Sequence, residues 1–265
     1  MINIFALSDL HLSFATPEKD MQRFGPRWSN YAVRIKKHWI DIVSEDDYVL
    51  VGGDISWASQ LDEAKQDLDW IGALPGKKLM IKGNHDYWWG TVKKMRDRCH
   101  PSMDFLRNSI TWIGGPPGTE GAISVIGIRM WDIPNLNYMD CIDWIGDKPE
   151  YQYKQHDRQI FDKDLFKLER MLRFNKQNGH NTDIVLMHYP PIHPAGRSTI
   201  VSDMLSEYGV KVCIYGHVHG LTDGVTMNHD LDGVTYIFTS GDYCDFKPQH
   251  IASCKTSVHQ HIQVK

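Results

Sequence analysis

Asp9, His11, Asp54, Asn84, His188, His217 and His219 are carboxylate, amide and imidazole side chains in five short polar motifs. The motifs read Asp9-Leu10-His11, Gly53-Asp54, Gly83-Asn84-His85-Asp86, a lone His188, and Gly216-His217-Val218-His219. Oxygen and imidazole groups of this kind suit divalent cations of hard to borderline character. No cysteine falls in the motifs. A cation held there would keep net positive charge and attract phosphate. The set points to hydrolysis supported by two metals.

Groups so far apart in sequence need a scaffold that brings them together. Each motif directly follows a short apolar run: residues 2–7, 48–51, 78–81, 183–187 and 210–215. Short β-branched runs closed by a polar or glycine residue fit buried strands better than helices. In an open α/β sheet the strand C-termini converge on one crevice, where ligands bind. Five strands that each end in a ligand-capable group are therefore expected to share one site.

The ordered motifs resemble the calcineurin-like metallophosphoesterase superfamily, over roughly residues 1 to 220. The resemblance implies an α/β fold: a four-layer αββα sandwich of two mixed β-sheets flanked by helices, with a dinuclear metal site at the strand C-terminal ends. It also implies roles. Asp9, His11 and His219 would hold one metal, Asn84, His188 and His217 the other, and Asp54 would bridge them. A hydroxide shared by the metals would attack phosphorus, with His85 as the general acid and Asp86 as its orienting partner.

Two departures narrow the resemblance. Purple acid phosphatases carry a metal-bound tyrosine three residues after the bridging aspartate, where this chain has Trp57. Protein Ser/Thr phosphatases use Val-Asp-Arg-Gly and Gly-Asn-His-Glu, whereas Asp54 is followed by Ile55-Ser56-Trp57 and the fourth motif ends in Asp86. Neither subfamily is favoured. What remains includes cyclic-nucleotide phosphodiesterases, repair nucleases and other phosphohydrolases, which puts phosphodiesters ahead of monoesters. The ligand types favour Mn²⁺, with Fe or Zn²⁺ also compatible.

The chemistry accounts for the residue types. Two cations about 3.5–4 Å apart would neutralise phosphoryl oxygens and lower the pKa of a shared water towards neutrality. The leaving alkoxide then needs a proton, which His85, next to the ligand Asn84, is placed to give.

Arg27, Arg129, Arg197 and His193 lie near the motifs and are candidate substrate contacts, with surface ion pairing as the competing use of each arginine. Trp57, Trp88, Trp89 and Trp131 are candidates for cleft walls or for core. The helical segment near 157–176 sets Ile160, Phe161, Leu165, Leu168, Met171 and Leu172 on one stripe, as a surface helix packed on a core would.

The 265 residues carry a net charge of −4 with mixed signs and no basic block, so nothing suggests affinity for nucleic acid driven by phosphate contacts. A nuclease remains the competing enzyme class. A metal-binding scaffold without catalysis is the competing non-enzyme class, though no ligand position is missing. Five cysteines without metal-type spacing, no spanning apolar stretch and a first strand that leaves no room for a leader point to a reduced, cytoplasmic setting.

Helices are expected near 29–44, 59–73 and 88–98, and two strands within 110–128 around Gly114-Gly115-Pro116-Pro117-Gly118. Residues 131–180, with Pro134 and Pro149, are expected to form a helical insertion or cap over the site within a single domain spanning 1–265. Later strands are expected at 222–227, 233–239 and 250–263. Substrate, oligomeric state and pathway are not legible at this level.

Overall fold

The computed structural model describes residues 1–144 and 153–255 and the backbone of 258–262. Pro149 and the side chains of His259 and His261 lie outside the described residues. The strands are β1 (Ile2–Leu7), β2 (Tyr48–Val51), β3 (Lys77–Ile81), β4 (Met103–Leu106), β5 (Ser109–Gly114), β6 (Ile123–Gly127), β7 (Ile184–Leu186), β8 (Val212–Tyr215), β9 (His229–Leu231), β10 (Val234–Phe238), β11 (Gln249–Cys254) and β12 (Val258–Ile262). The α-helices are α1 (Tyr31–Ile42), α2 (Leu61–Gly72), α3 (Val92–Arg98), α4 (Gln155–Gln177) and α5 (Ile200–Glu207).

One sheet has the order β11-β1-β2-β3-β4, the other β12-β5-β6-β7-β8-β10-β9. Both are mixed. β1 to β4 run parallel with β11 antiparallel at the edge, and β6, β7, β8 and β10 run parallel between antiparallel outer strands. Parallel strands need crossovers and are covered on both faces, hence their near-continuous apolar runs.

Alternation along each strand feeds different layers. From β1, Ile4 and Ala6 join Leu50, Leu79, Val125, Leu186 and Ile214 between the two sheets. Phe5 and Leu7 point the other way, into a layer with Ile35 and Trp39 of α1, Leu68 and Ile71 of α2, and Met95 of α3. Val185 and Cys213, on the outer face of the second sheet, pack with Phe161, Leu168, Met171 and Leu172 of α4 and Val201 and Leu205 of α5. The result is helix, sheet, sheet, helix, as expected from the resemblance.

Helix stripes follow the same logic. Tyr31, Ile35 and Trp39 recur at four-residue spacing and are the buried residues of α1. In β3, Lys78 is fully buried, and its ammonium donates to the carbonyls of Gly72 and Leu74, the final residue of α2 and the turn after it. A cation at a helix C-terminus satisfies carbonyls that the helix cannot.

Three expectations change. Residues 222–227 form a turn rather than a strand, because Asp223-Gly224 closes the chain there; the ladder begins only at β9. The segment 250–263 is two strands, β11 and β12, in different sheets. Within 131–180, α4 packs on the core as its apolar stripe predicts rather than capping the site, and it is the stretch 131–144, through Tyr138, that reaches the strand ends. Among the described residues no helix is long and apolar enough to cross a membrane.

Leu50 lies between the sheets at 0 % exposure, so Leu50→Ala should cost about 2–5 kcal/mol in chemical denaturation. Phe166→Ala, at a side chain 58 % exposed on α4, should change stability by no more than about 0.5 kcal/mol. Equal effects would show that the inter-sheet layer is not the core.

Candidate dinuclear metal site

Asp9 follows β1, Asp54 follows β2, Asn84 follows β3, His188 follows β7, and His217 and His219 follow β8. All of these are parallel strands, so their C-terminal ends open on one edge of the two sheets. Main-chain bonds stitch the loops together: Asp9 N to Gly53 O at 2.9 Å, His11 N to Asp54 O at 2.9 Å, and Gly216 N to His188 O at 3.0 Å.

The turns are tight. Asp9, His11, Asp54 and His217 sit at φ of 60°, 44°, 50° and 78°, in the left-handed region. For non-glycine residues this costs on the order of 1–3 kcal/mol each and persists only where surrounding contacts enforce it. Close approach explains two motif glycines. A Cβ on Gly83 would lie 2.1 Å from Asp54 Oδ1, and one on Gly216 would lie 2.2 Å from Asp9 Oδ2.

Two clusters result. Asp9, His11 and His219 each offer a donor atom within 4.8 Å of the others, and so do Asp54, His188 and His217. Asn84 joins the second cluster through Oδ1, 2.6 Å from His188 Nε2 and 2.9 Å from His217 Nδ1. Asp54 lies between the clusters, with Oδ2 3.7 Å from His11 Nε2 and 3.6 Å from His188 Nε2. Its Oδ1 accepts the His85 main-chain N–H at 2.8 Å.

Hydrogen bonds set the imidazoles. His188 Nδ1 donates to Gly52 O at 2.9 Å, and His219 Nδ1 donates to Asp242 Oδ1 at 2.8 Å. Each leaves Nε2 facing the centre, the usual way a protein orients a ligating histidine. His217 presents Nδ1 inward, and its Nε2 lies 3.1 Å from the hydroxyl of Tyr138, which donates to Asp132 at 2.6 Å. Asp9 Oδ2 accepts from His217 N at 2.9 Å and Ser240 Oγ at 2.7 Å, whereas Asp9 Oδ1 is buried without a hydrogen-bond partner.

The protein alone leaves these groups poorly solvated. Burial pushes the Asp9 carboxyl up to about 6, and burial together with the nearby Asp86 pushes Asp54 up to about 8. Burial also lowers His11, His188 and His217. Burial opposes charge on His219 as well, yet Asp242 and Asp9 raise it to about 9. Asp242 itself is held low by His219 despite its burial. His219 Nε2 lies 3.0 Å from His11 Nε2. The orphaned Asp9 oxygen and the inward imidazole lone pairs are a donor set that fits two divalent cations.

His85 is 35 % exposed at the rim, its Nε2 4.0 Å from Asp54 Oδ2 and its ring 4.3 Å from that of Trp57. Burial, then the charges of His188 and His219, lower it to about 4. Asp86 does not orient it. The Asp86 carboxylate accepts from the main chain of Ile55, Ser56 and Gly83 and from the Trp88 indole, binding the 54–56 loop to the 83–86 loop.

The substrate-contact candidates separate. Arg129 lies nearest the centre: its carbonyl accepts from His188 N at 3.1 Å, its guanidinium stacks 4.6 Å above Trp131, and its charge acts on Asp54. Arg27 is committed to Leu221 O and Asp223, a surface pair. Arg197 and His193 bond each other at 2.6 Å in a cavity lined by none of the metal-site residues. Trp57 stacks on His11 at 5.0 Å and walls the site, whereas Trp88 is core.

Sequence reasoning overlooked Asp242, Ser240 and Tyr138. The first two had a usable signal: β10 is another apolar run ending in Thr239-Ser240-Gly241-Asp242, the same strand-then-Gly-Asp pattern as Asp54. Tyr138 lies in the irregular stretch before α4 and carried none.

The sequence pattern of the calcineurin-like phosphoesterase family matches residues 2–221. "Gene 66 protein" of Mycobacterium phage D29 is 35% identical over 89 residues, 32% of this chain and 41% of that protein. Its counterpart in phage L5 is 33% identical over 86 residues, 32% of this chain and 41% of that protein. The matched segment thus spans less than half of these relatives. The phosphopantetheinyl hydrolase PptH from Mycobacterium tuberculosis shares the fold, at a TM-score of 0.55 and 16% identity over 94% of this chain and 95% of that one.

Asp242→Asn would keep the shape but weaken the hold on His219. It should reduce affinity at the Asp9–His11–His219 position about 10–100-fold, read by calorimetric titration with Mn²⁺. Wild-type affinity at both positions would show that Asp242 does not support a ligand.

Proposed function

This chain belongs to the calcineurin-like phosphoesterase family, and we propose that it hydrolyses a phosphate ester at a dinuclear centre, with phosphodiesters preferred over monoesters. The observation that carries the reading is the position of Asp54, whose Oδ2 faces His11 of one ligand cluster and His188 of the other at nearly equal distance. Asp9, His11 and His219 would hold one cation, Asn84, His188 and His217 the second, and Asp54 would touch both. Two such cations would neutralise phosphoryl oxygens and lower the pKa of a bound water towards neutrality. Mn²⁺ is the favoured ion, Fe and Zn²⁺ the alternatives, since imidazole, carboxylate and amide donors accept each.

The protein's own groups complete the chemistry. Trp57 and Trp28 close around His11 and exclude water from that side. His85, at the rim and backed by the Trp57 ring, is placed to pass a proton to the departing oxygen. Burial and the charges of His188 and His219 lower its pKa to about 4, and a neighbouring anionic phosphate would act in the opposite direction. The stretch 131–144, through Tyr138, shapes the substrate side of the second metal position.

A screen of bis-p-nitrophenyl phosphate, p-nitrophenyl phosphate, cyclic nucleotides, a phosphopantetheinyl ester and single-stranded DNA and RNA, with Mn²⁺ added, tests the reading. The diester should be turned over fastest, and chelation should abolish turnover. No hydrolysis of any ester by protein with two bound metals would exclude it, and preferential cleavage of polynucleotides would make it a nuclease.

His85→Ala should keep both metals by elemental analysis yet lose about 10²–10⁴-fold in kcat on an alkyl ester, and far less on a nitrophenyl ester, whose leaving group needs no proton. Equal losses on the two would remove His85 as the proton donor.

A further inference from the structure

A cavity of about 230 Å³ opens beside the metal site, at the C-terminal ends of β3, β4 and β6. Lys82, Arg107, Arg129 and Lys167 line it, with Asp164 as the one carboxylate and Trp89 as an aromatic wall. Lys167 pairs with Asp164 at 2.6 Å. Among the described residues, Lys82, Arg107 and Arg129 have no carboxylate within ion-pair distance, and all three face the same cavity. Three like charges held around one concavity repel one another unless an anion joins them. Two of them are arginines, whose planar forks match phosphate oxygens.

Place adds to composition. Lys82 immediately precedes Gly83 and Asn84, so the cavity and the second metal cluster share the loop that leaves β3. Arg129 joins them from the other sheet, its carbonyl bound by the His188 main chain. The cavity lining contains none of the seven candidate metal ligands, so it is a separate pocket on the same edge. Lys82 and Arg129 thus tie the cavity lining to the loops that carry Asn84 and His188.

We propose that this cavity receives a second phosphate of the substrate, carried on the part of the molecule beyond the ester under attack. The proposal rests on the phosphoesterase reading above. It names the substrate class more narrowly: phosphate esters bearing a further phosphate, such as nucleoside bisphosphate esters.

Two chromogenic diesters test it: thymidine 5′-(p-nitrophenyl phosphate) and the same ester carrying a 3′-phosphate. They share a scissile bond and leaving group and differ by one phosphate. The Mn²⁺-loaded protein should show at least tenfold higher kcat/KM for the 3′-phosphorylated ester, mostly through KM. Arg107→Ala should bring the ratio near one, and Arg107→Lys should restore part of it. A ratio near one in the wild type, or a ratio unchanged in Arg107→Ala, overturns the proposal.

A binding arm separates this from the hydrolase reading. Inorganic pyrophosphate titrated into chelator-treated protein should bind, and at least tenfold more weakly to Arg107→Ala, whether or not either ester is cleaved. If neither ester is cleaved but pyrophosphate binds in this way, the cavity stands and the preference for phosphodiesters falls. No pyrophosphate binding to folded wild-type protein overturns the cavity.

Discussion

Two aspartates buried at the meeting of two sheets are the constraint on which the rest depends. Asp9 and Asp54 are almost wholly removed from water, and their carboxyls are pushed up to about 6 and about 8. An isolated buried carboxylate is expensive, so such a group stays protonated or acquires a cation. Imidazoles after β7 and β8 supply the further donors that would turn that cost into a cation site. Asp9 also ties the sheets together, since it extends from β1 and accepts from His217 after β8 and Ser240 after β10.

The electrostatic arrangement is graded. Close to the carboxylates sit His11 and His217, kept neutral by burial, and beside them His219, which Asp242 holds by its far nitrogen and pushes up. Farther out on the same edge, Lys82, Arg107 and Arg129 supply positive charge without paired acids among the described residues. The net charge of −4 over the chain conceals this local reversal. What an anionic ligand meets is set by the strand-end edge and not by the whole surface.

Rigidity comes from the loops as much as from the strands. The left-handed turns at Asp9, His11, Asp54 and His217 are held by main-chain bonds between neighbouring strand ends and by Asp86, which gathers donors from two loops. The layers beneath leave little room to relax, because both faces of each central parallel strand are packed.

The layered α/β architecture and the residues that meet at the strand ends were legible in the chain itself, because apolar runs of strand length that end in Asp, Asn or His record both periodicity and chemistry locally. Arg27, Asp86 and residues 222–227 were read less well, because their fate depends on distant partners: Asp223 takes the guanidinium, the Ile55 and Ser56 amides take the carboxylate, and a turn replaces a ladder. Asp242 could have been found from its strand-end pattern, Tyr138 could not. Only the folded chain decided which nitrogen of each histidine faces inward and which cations gather around a cavity. Those outcomes follow from contacts between residues far apart in sequence, such as His188 Nδ1 to Gly52 O and Tyr138 to His217, and no local pattern encodes them.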